Sequence, residues 1–381
     1  MSRDYNQEAL ELHKQNHGKI GTLAKVPLEN RDDLSRAYTP GVAEVCKEIS
    51  RDNSLAREYT LKRNTVAIVT DGSAILGLGN LGALSAIPVM EGKAAILKTF
   101  ADVDAFPICL DTQDTEEIIK AVKQIAPVFG AINLEDIAAP RCFEIEERLR
   151  AELSIPVMHD DQWGTATVVL GGLINAFKVT DRGEGKDAKI VINGIGSAGV
   201  AVSRILLSSG FKNILFCDSK GIVHKNRTDL TKEKEELLSN SNLDGFEGSL
   251  SDAVKNADVF IGVSKAGVLT KEMAQSMNKD AIVFGLANPI PEIMPDVARE
   301  SGVAVIATGR SDFPNQVNNS LIFPGVFKGV LDANIKQFDI SMFIKAAHAL
   351  ASHVKNPSKE IILPTMFDKE LVDVIAKAVV S

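Results

Sequence analysis

Residues 188–207 read AKIVINGIGSAGVAVSRILL: an apolar run of strand character, then Gly194-x-Gly196-x-x-Gly199, then the apolar spacing of a helix. A strand that turns through three glycines into a helix opens a parallel βαβ unit, and parallel sheets are built with helices on both faces. Nineteen residues beyond Gly199 the next apolar run, NILFCDSKG, ends on Asp218, where a carboxylate accepts hydrogen bonds from an adenosine ribose. Gly194 serves the tight turn, Gly196 lets the backbone approach a pyrophosphate, and Gly199 allows close helix packing. Ser197 and Ala198 belong to the same phosphate-facing helix mouth. The unit predicts a Rossmann-type dinucleotide domain. Asp218 would repel a 2′-phosphate and favours NAD, but Lys220, Lys225 and Arg227 follow closely and leave NADP open.

With 381 residues the chain exceeds what one core usually organises, so a second domain is expected. It is legible upstream. NTVAIVTDG, the run ending AFPICLDT, VFGAINLED and IPVMHDD are short apolar strands separated by helical segments, a parallel α/β pattern preceded by N-terminal helices near residues 7–17 and 34–50. Two of these strands run into paired carboxylates, Glu135 with Asp136 and Asp160 with Asp161. Ligands of a parallel sheet gather beyond the carboxyl ends of its strands, and converging carboxylates repel unless a cation neutralises them. Oxygen ligands without cysteine suit Mg²⁺ or Mn²⁺; the plainer alternative is that these residues cap the helices that follow. His13 and His17, four apart on a helix, lack any partner signature and read as a solvated face.

After Asp161, QWGTATVVLGGLINAFKVT predicts one long buried helix joining the two units, and further strands are expected near Ile190, Ile214, Val259, Ile282 and Val305. We therefore expect an α/β chain of two domains: residues 1–159 with the acidic cluster and residues 160–381 with the dinucleotide unit, the segment after about 320 packing back on the first. The segment TKEKEELL reads as a solvated surface helix. Fifty acidic against forty-two basic residues, a net charge of −8 and no basic block argue against nucleic acid or anionic membrane as partner. Small molecules are the expected partners. A polar start, no apolar stretch of about 18 residues and four scattered cysteines predict a cytoplasmic chain without disulfides.

Metal carboxylates beside a dinucleotide fold suggest oxidation of a metal-chelating hydroxy acid. At this point an ordered series of stretches becomes recognisable: YTPGVAEVC, VTDGSAILGLGNLG, PVMEGKAAILKTFADVDAFPICLDT, NLEDIAAPRCFEIE, HDDQWGTA, NGIGSAGVA, GLANPIPEI and TGRSDFPNQVNN. The chain resembles the malic enzymes, in particular their compact bacterial branch, over nearly its whole length. The resemblance implies Lys93 of MEGKAA as the base that takes the C2 hydroxyl proton and Tyr38 of AYTPGV as the acid that protonates the enol. For Lys93 we expect a pKa brought toward neutrality in a desolvated site. It further implies Glu135, Asp136 and Asp161 as metal ligands with Asp160 behind them, and Asn288, Asn318 and Asn319 near substrate and nicotinamide.

The implied reaction is oxidative decarboxylation of malate to pyruvate and CO₂ with reduction of NAD, or of NADP, dependent on Mg²⁺ or Mn²⁺. Oxaloacetate decarboxylation or malolactic conversion could use the same parts. An amino-acid dehydrogenase or a non-catalytic dinucleotide-sensing module are more distant alternatives. Two departures stand out: Ala74 occupies the stretch where larger relatives carry a carboxylate-gripping arginine, and Trp163 stands where compact relatives place a histidine. The family also implies a homodimer, with Tyr38 reaching a neighbour's site.

Overall fold

The computed structural model describes residues 4–381. Six consecutive buried residues, TVAIVT, form β1 (Thr65–Thr70), the continuous apolar run that a strand covered on both faces requires. Around it lie β2 (Asp104–Cys109), β3 (Ala131–Leu134) and β4 (Val157–His159) in the parallel order β2-β1-β3-β4. The second sheet contains β5 (Ile190–Asn193), β6 (Ile214–Asp218), β7 (Gly221–Ile222), β8 (Val259–Gly262), β9 (Ile282–Gly285) and β10 (Val305–Thr308). Its order is β10-β9-β8-β5-β6-β7, parallel except for β7 against β6. The chain begins this sheet in the middle and winds outward both ways, so the order reverses at β5. That reversal opens the crevice in which a doubly wound sheet takes its ligand.

The long helix expected after Asp161 is Asp160–Val179, apolar all round and buried along most of its length. It lies against the helices Ser197–Ser208 and Ile340–His353, and one apolar core runs from Val66 and Met90 of the first unit to Phe284 and Phe343 of the second. Beyond residue 320 the helix Phe323–Asp332 contacts the helix Ala83–Ala101 of the first unit. Arg57 donates to the Leu331 carbonyl and Arg150 to that of Phe338, so the C-terminal segment is tied to first-unit residues by side chains as well as by packing.

At the N-terminus the helices Tyr5–Asn16, Arg31–Ala37 and Val42–Arg51 bury almost nothing: only Asp33 is buried among them. Their uncovered apolar side chains include Leu34, Tyr38 and Val45, and Leu23, Val26 and Leu28 stand exposed in the connecting segment. Cys46, Cys109, Cys142 and Cys217 are free thiols. Among the described residues no helix is long and apolar enough to cross a membrane.

Candidate active site

Leu134 pairs with His159 across β3 and β4, so the residues that follow leave the sheet side by side. Glu135 and Asp136 continue from β3, and Asp160 and Asp161 form the first turn of the helix Asp160–Val179. Asp136 turns the chain in the left-handed region at φ 52°, and its N–H donates to Asp161 Oδ2 at 2.8 Å. One oxygen each from Glu135, Asp136 and Asp161 lies within 4.8 Å of the others. Asp136 Oδ2 is buried without a hydrogen-bond partner, the kind of orphaned acceptor that a cation would satisfy. Burial raises the carboxyls of Glu135, Asp136 and Asp160 above the usual range, Asp136 to about 7, and the charge of Asp161 pushes all three the same way. An all-oxygen donor set with this much uncompensated charge fits Mg²⁺ or Mn²⁺.

Lys93 projects from the helix Ala83–Ala101 into this cluster. It hydrogen-bonds Asp160, stands 3.0 Å from Glu135 and lies 4.3 Å from the centre of the Phe323 ring. Burial alone would lower its pKa, as expected from the sequence. The carboxylates of Asp160, Glu135 and Asp161 outweigh burial, however, and hold the ammonium above its ordinary value. The expectation of a near-neutral lysine counted desolvation and missed three anions. Gly164 makes room for this arrangement, since a Cβ there would meet Asp160 Oδ1 at 1.9 Å.

Asn288, Asn318 and Asn319 line the same cleft, of about 550 Å³, together with Lys93, Glu135, Asp136 and Asp161. The side-chain Oδ1 of Asn318 accepts from the Ser320 N–H at 2.8 Å, which shapes the start of a short helical turn. Ser197 and Ala198 bring the glycine turn to the cleft. There Gly194 adopts φ 106°, and a Cβ on Gly199 would meet the Gly194 oxygen at 1.8 Å, whereas a Cβ on Gly196 would point into open space. The turn is thus closed on one side and open on the side where a pyrophosphate would lie. Tyr38 is not brought in: it ends the helix Arg31–Ala37, is 67% exposed, and does not line the cleft of its own chain.

Two family descriptions match the chain, the malic enzyme N-terminal domain over residues 17–150 and the malic enzyme NAD binding domain over residues 163–381. The chain belongs to the malic enzyme family. It is 52% identical to a bifunctional malic/malolactic enzyme of Bacillus subtilis, covering 98% of this chain and 92% of that one. To an NAD-dependent malic enzyme of Geobacillus stearothermophilus it is 54% identical, over 96% and 76%. The crystal structure of an NAD-dependent malic enzyme from Thermotoga maritima superposes with a TM-score of 0.94 at 46% identity, over 98% and 99%.

Within a malic enzyme framework the two departures find physical accounts. Ala74 lines the cleft and gives its N–H to the Asp136 carbonyl at 2.9 Å, so it helps to set the turn at Asp136 but offers no charge; the cations on the cleft wall are Lys93 and Lys265. Trp163 turns its indole away from the carboxylates: the ring stacks on Phe343 with centroids 5.1 Å apart, and Nε1 donates to Glu146 at 2.9 Å. Glu146 also accepts from the His159 N–H and from Gln162 Nε2, both at 3.0 Å, and so ties β4 to the helix that carries Asp160 and Asp161. Sequence reasoning passed over Glu146 and Lys265. Glu146 lies in a charged helix with nothing to mark it as the buried one.

Burial pushes the Glu146 carboxyl up to about 7, against about 4.3 for an unfolded glutamate. Between these values the folded chain holds the extra proton, so its stability falls as pH rises through the window and levels off above it. The contribution is at most about 4 kcal/mol. Glu146→Gln cannot titrate and should flatten that slope when urea unfolding in EDTA is compared at pH 5 and pH 8. An identical slope in both proteins would mean that Glu146 stays ionised throughout.

Proposed function

We propose that this chain oxidises malate at C2 with NAD and releases CO₂ to give pyruvate, using Mg²⁺ or Mn²⁺ held by Glu135, Asp136 and Asp161. The observation that carries this reading is the meeting, in one cleft, of three metal-ready carboxylates, a buried lysine and the dinucleotide turn. A bound divalent ion supplies polarisation of the C2 oxygen and offsets the charge that develops as the carboxylate leaves.

The remaining tasks fall to the side chains. Lys93 takes the C2 hydroxyl proton. Two of the three anions that hold its ammonium protonated, Glu135 and Asp161, are those assigned to the metal; with their charge engaged, burial weighs more heavily and moves Lys93 toward the neutral form a base needs. Asp160 fixes the direction of Lys93 Nζ. The Asn288 and Asn319 amides, which both donate and accept, orient the hydroxy acid against the nicotinamide. Tyr38 returns a proton to carbon after CO₂ has left. Since it is exposed and outside its own cleft, and since the N-terminal helices leave an apolar surface uncovered, we assign it to the site of a neighbouring copy in a homodimer. The free thiols suit a cytoplasmic enzyme.

The name of the Bacillus subtilis relative favours one second reading, conversion of malate to lactate with the cofactor retained. Purified protein incubated with malate, NAD or NADP, and Mn²⁺ should yield reduced cofactor and pyruvate in equal amounts. Lactate without net cofactor reduction would establish the second reading instead, and decarboxylation confined to added oxaloacetate would displace both.

A further inference from the structure

β8 and β9 pair in parallel with Gly262 opposite Gly285, so the loops that follow them leave the sheet side by side. One carboxylate lies between these loops. Glu292 has no exposed surface; its Oε1 accepts from the Ser264 N–H at 2.9 Å and its Oε2 from the Ala287 N–H at 3.0 Å. Burial raises its carboxyl above the usual range, and the same backbone N–H groups draw it back down. The end of β8 is shaped around it, since a Cβ on Gly262 would meet the Glu292 carboxyl carbon at 2.4 Å. An anion this deep, held by backbone N–H groups of two loops, fixes where both loops run.

Each loop carries a different part of the site. Ser264 Oγ accepts from Asn193 Nδ2 at 2.8 Å, immediately ahead of the glycine turn. Ser264 lines both the catalytic cleft and a second cavity, of about 740 Å³, walled by Gly194 and Asp218. On the other loop Ala287 precedes Asn288, which is seated in a tight slot. A Cβ on Gly77 of the first unit would meet the Asn288 backbone oxygen at 2.8 Å, and one on Gly309 would meet its Nδ2 at 2.8 Å. The slot admits a narrow range of backbone paths, and the Ala287 hydrogen bond to Glu292 selects among them. Glu292 itself stands behind the cleft wall and does not line it.

We propose that Glu292 is a positioning residue for hydride transfer. Through Ser264 it places the loop beside the dinucleotide turn, and through Ala287 it places the amide of Asn288, so one side chain sets cofactor and hydroxy acid against each other. The inference rests on the reading of the cleft as a site of malate oxidation.

Glu292→Gln keeps the size of the side chain but offers one acceptor and one NH₂ donor, so one of the two backbone N–H groups is left facing a donor. With malate, NAD and Mn²⁺ saturating, kcat should fall by about 10²-fold, the loss expected of a small misplacement at the reacting atoms. Fluorescence titration should show NADH binding changed by no more than about threefold, because the glycine turn is untouched, and Mn²⁺ affinity unchanged. The deciding readout is the double variant with Asn288→Ala: if Glu292 acts by placing that amide, Glu292→Gln costs at most about threefold more once the amide is gone. Losses that multiply, an NADH loss as large as the kcat loss, or undiminished turnover in Glu292→Gln would each overturn the proposal. Should Glu292→Gln not fold, Glu292→Asp, one carbon too short to span both loops, carries the same expectations. A parent that does not oxidise malate would remove the proposed reaction and this role together, whereas an active parent with multiplying losses would remove the role alone.

Discussion

Exhaustive chelation is expected to abolish malate turnover, and Asp161→Asn to lower it by about 10³-fold at ordinary Mn²⁺ concentrations, a barrier increase of ~4 kcal/mol. Without a cation Glu135, Asp136 and Asp161 cluster beside the ammonium of Lys93, with Lys265 further along the cleft wall, and burial has already raised two of those carboxyls. Such a site repels the dianionic substrate and has no charge with which to polarise the C2 oxygen. Asp161→Asn keeps an oxygen near the cluster but removes a negative charge, so metal affinity should fall even where the fold is intact. The checks are turnover after EDTA with residual metal measured by mass spectrometry, re-addition of Mn²⁺, and Mn²⁺ binding to Asp161→Asn followed by paramagnetic resonance. Undiminished malate oxidation by demonstrably metal-free protein would falsify the metal assignment.

The fold was legible because its strands obey a simple rule. Segments such as TVAIVT and IVIN are buried along their whole length and therefore read as unbroken apolar runs, and the positive-φ Gly194 and the close contact at Gly199 demand glycine at fixed spacing. The acidic cluster could be foreseen for a related reason. Parallel order forces neighbouring strands to end at the same edge, so Glu135 and Asp160 were bound to meet if β3 and β4 were adjacent. What the sequence withheld were contacts between elements distant in the chain. Lys93 meets Asp160 sixty-seven positions away, and no local pattern reveals that three anions rather than an apolar wall decide its charge. Lys234, whose Nζ donates to Asp218 at 2.7 Å, and Glu146 sit in helices whose composition resembles any solvated surface; only packing shows which charged side chain turns inward. Tyr38 is a harder case. It stands exposed outside the cleft of its own chain, and nothing in a single chain records where a second copy would lie.

The two proposed proton-transfer residues should fail at different steps. Lys93→Ala should slow malate-dependent cofactor reduction by about 10²–10⁴-fold, because the base is needed as hydride leaves C2, while sparing metal-assisted decarboxylation of added oxaloacetate to a greater degree. Tyr38→Phe removes only the phenolic hydroxyl and should reverse that bias, leaving the first burst of reduced cofactor nearly intact and depressing pyruvate formation from oxaloacetate. Pre-steady-state cofactor absorbance and pyruvate release, measured on both variants with Mn²⁺ saturating, separate the steps. Mixing the variants then tests the geometry. If Tyr38 serves the neighbour's cleft, a mixed dimer holds one site with both defects and one with neither, since the intact tyrosine of the Lys93→Ala chain faces the intact lysine of the Tyr38→Phe chain. Half of randomly exchanged dimers are mixed and each regains one site of two, so activity should rise to about a quarter of the parent value after subunit exchange. If Tyr38 acts within its own chain, every site in the mixture carries one defect and activity stays at the average of the two variants. That outcome would place the movement on the segment around Tyr38, which would then have to fold over the cleft of its own chain to bring a 67% exposed side chain to the substrate.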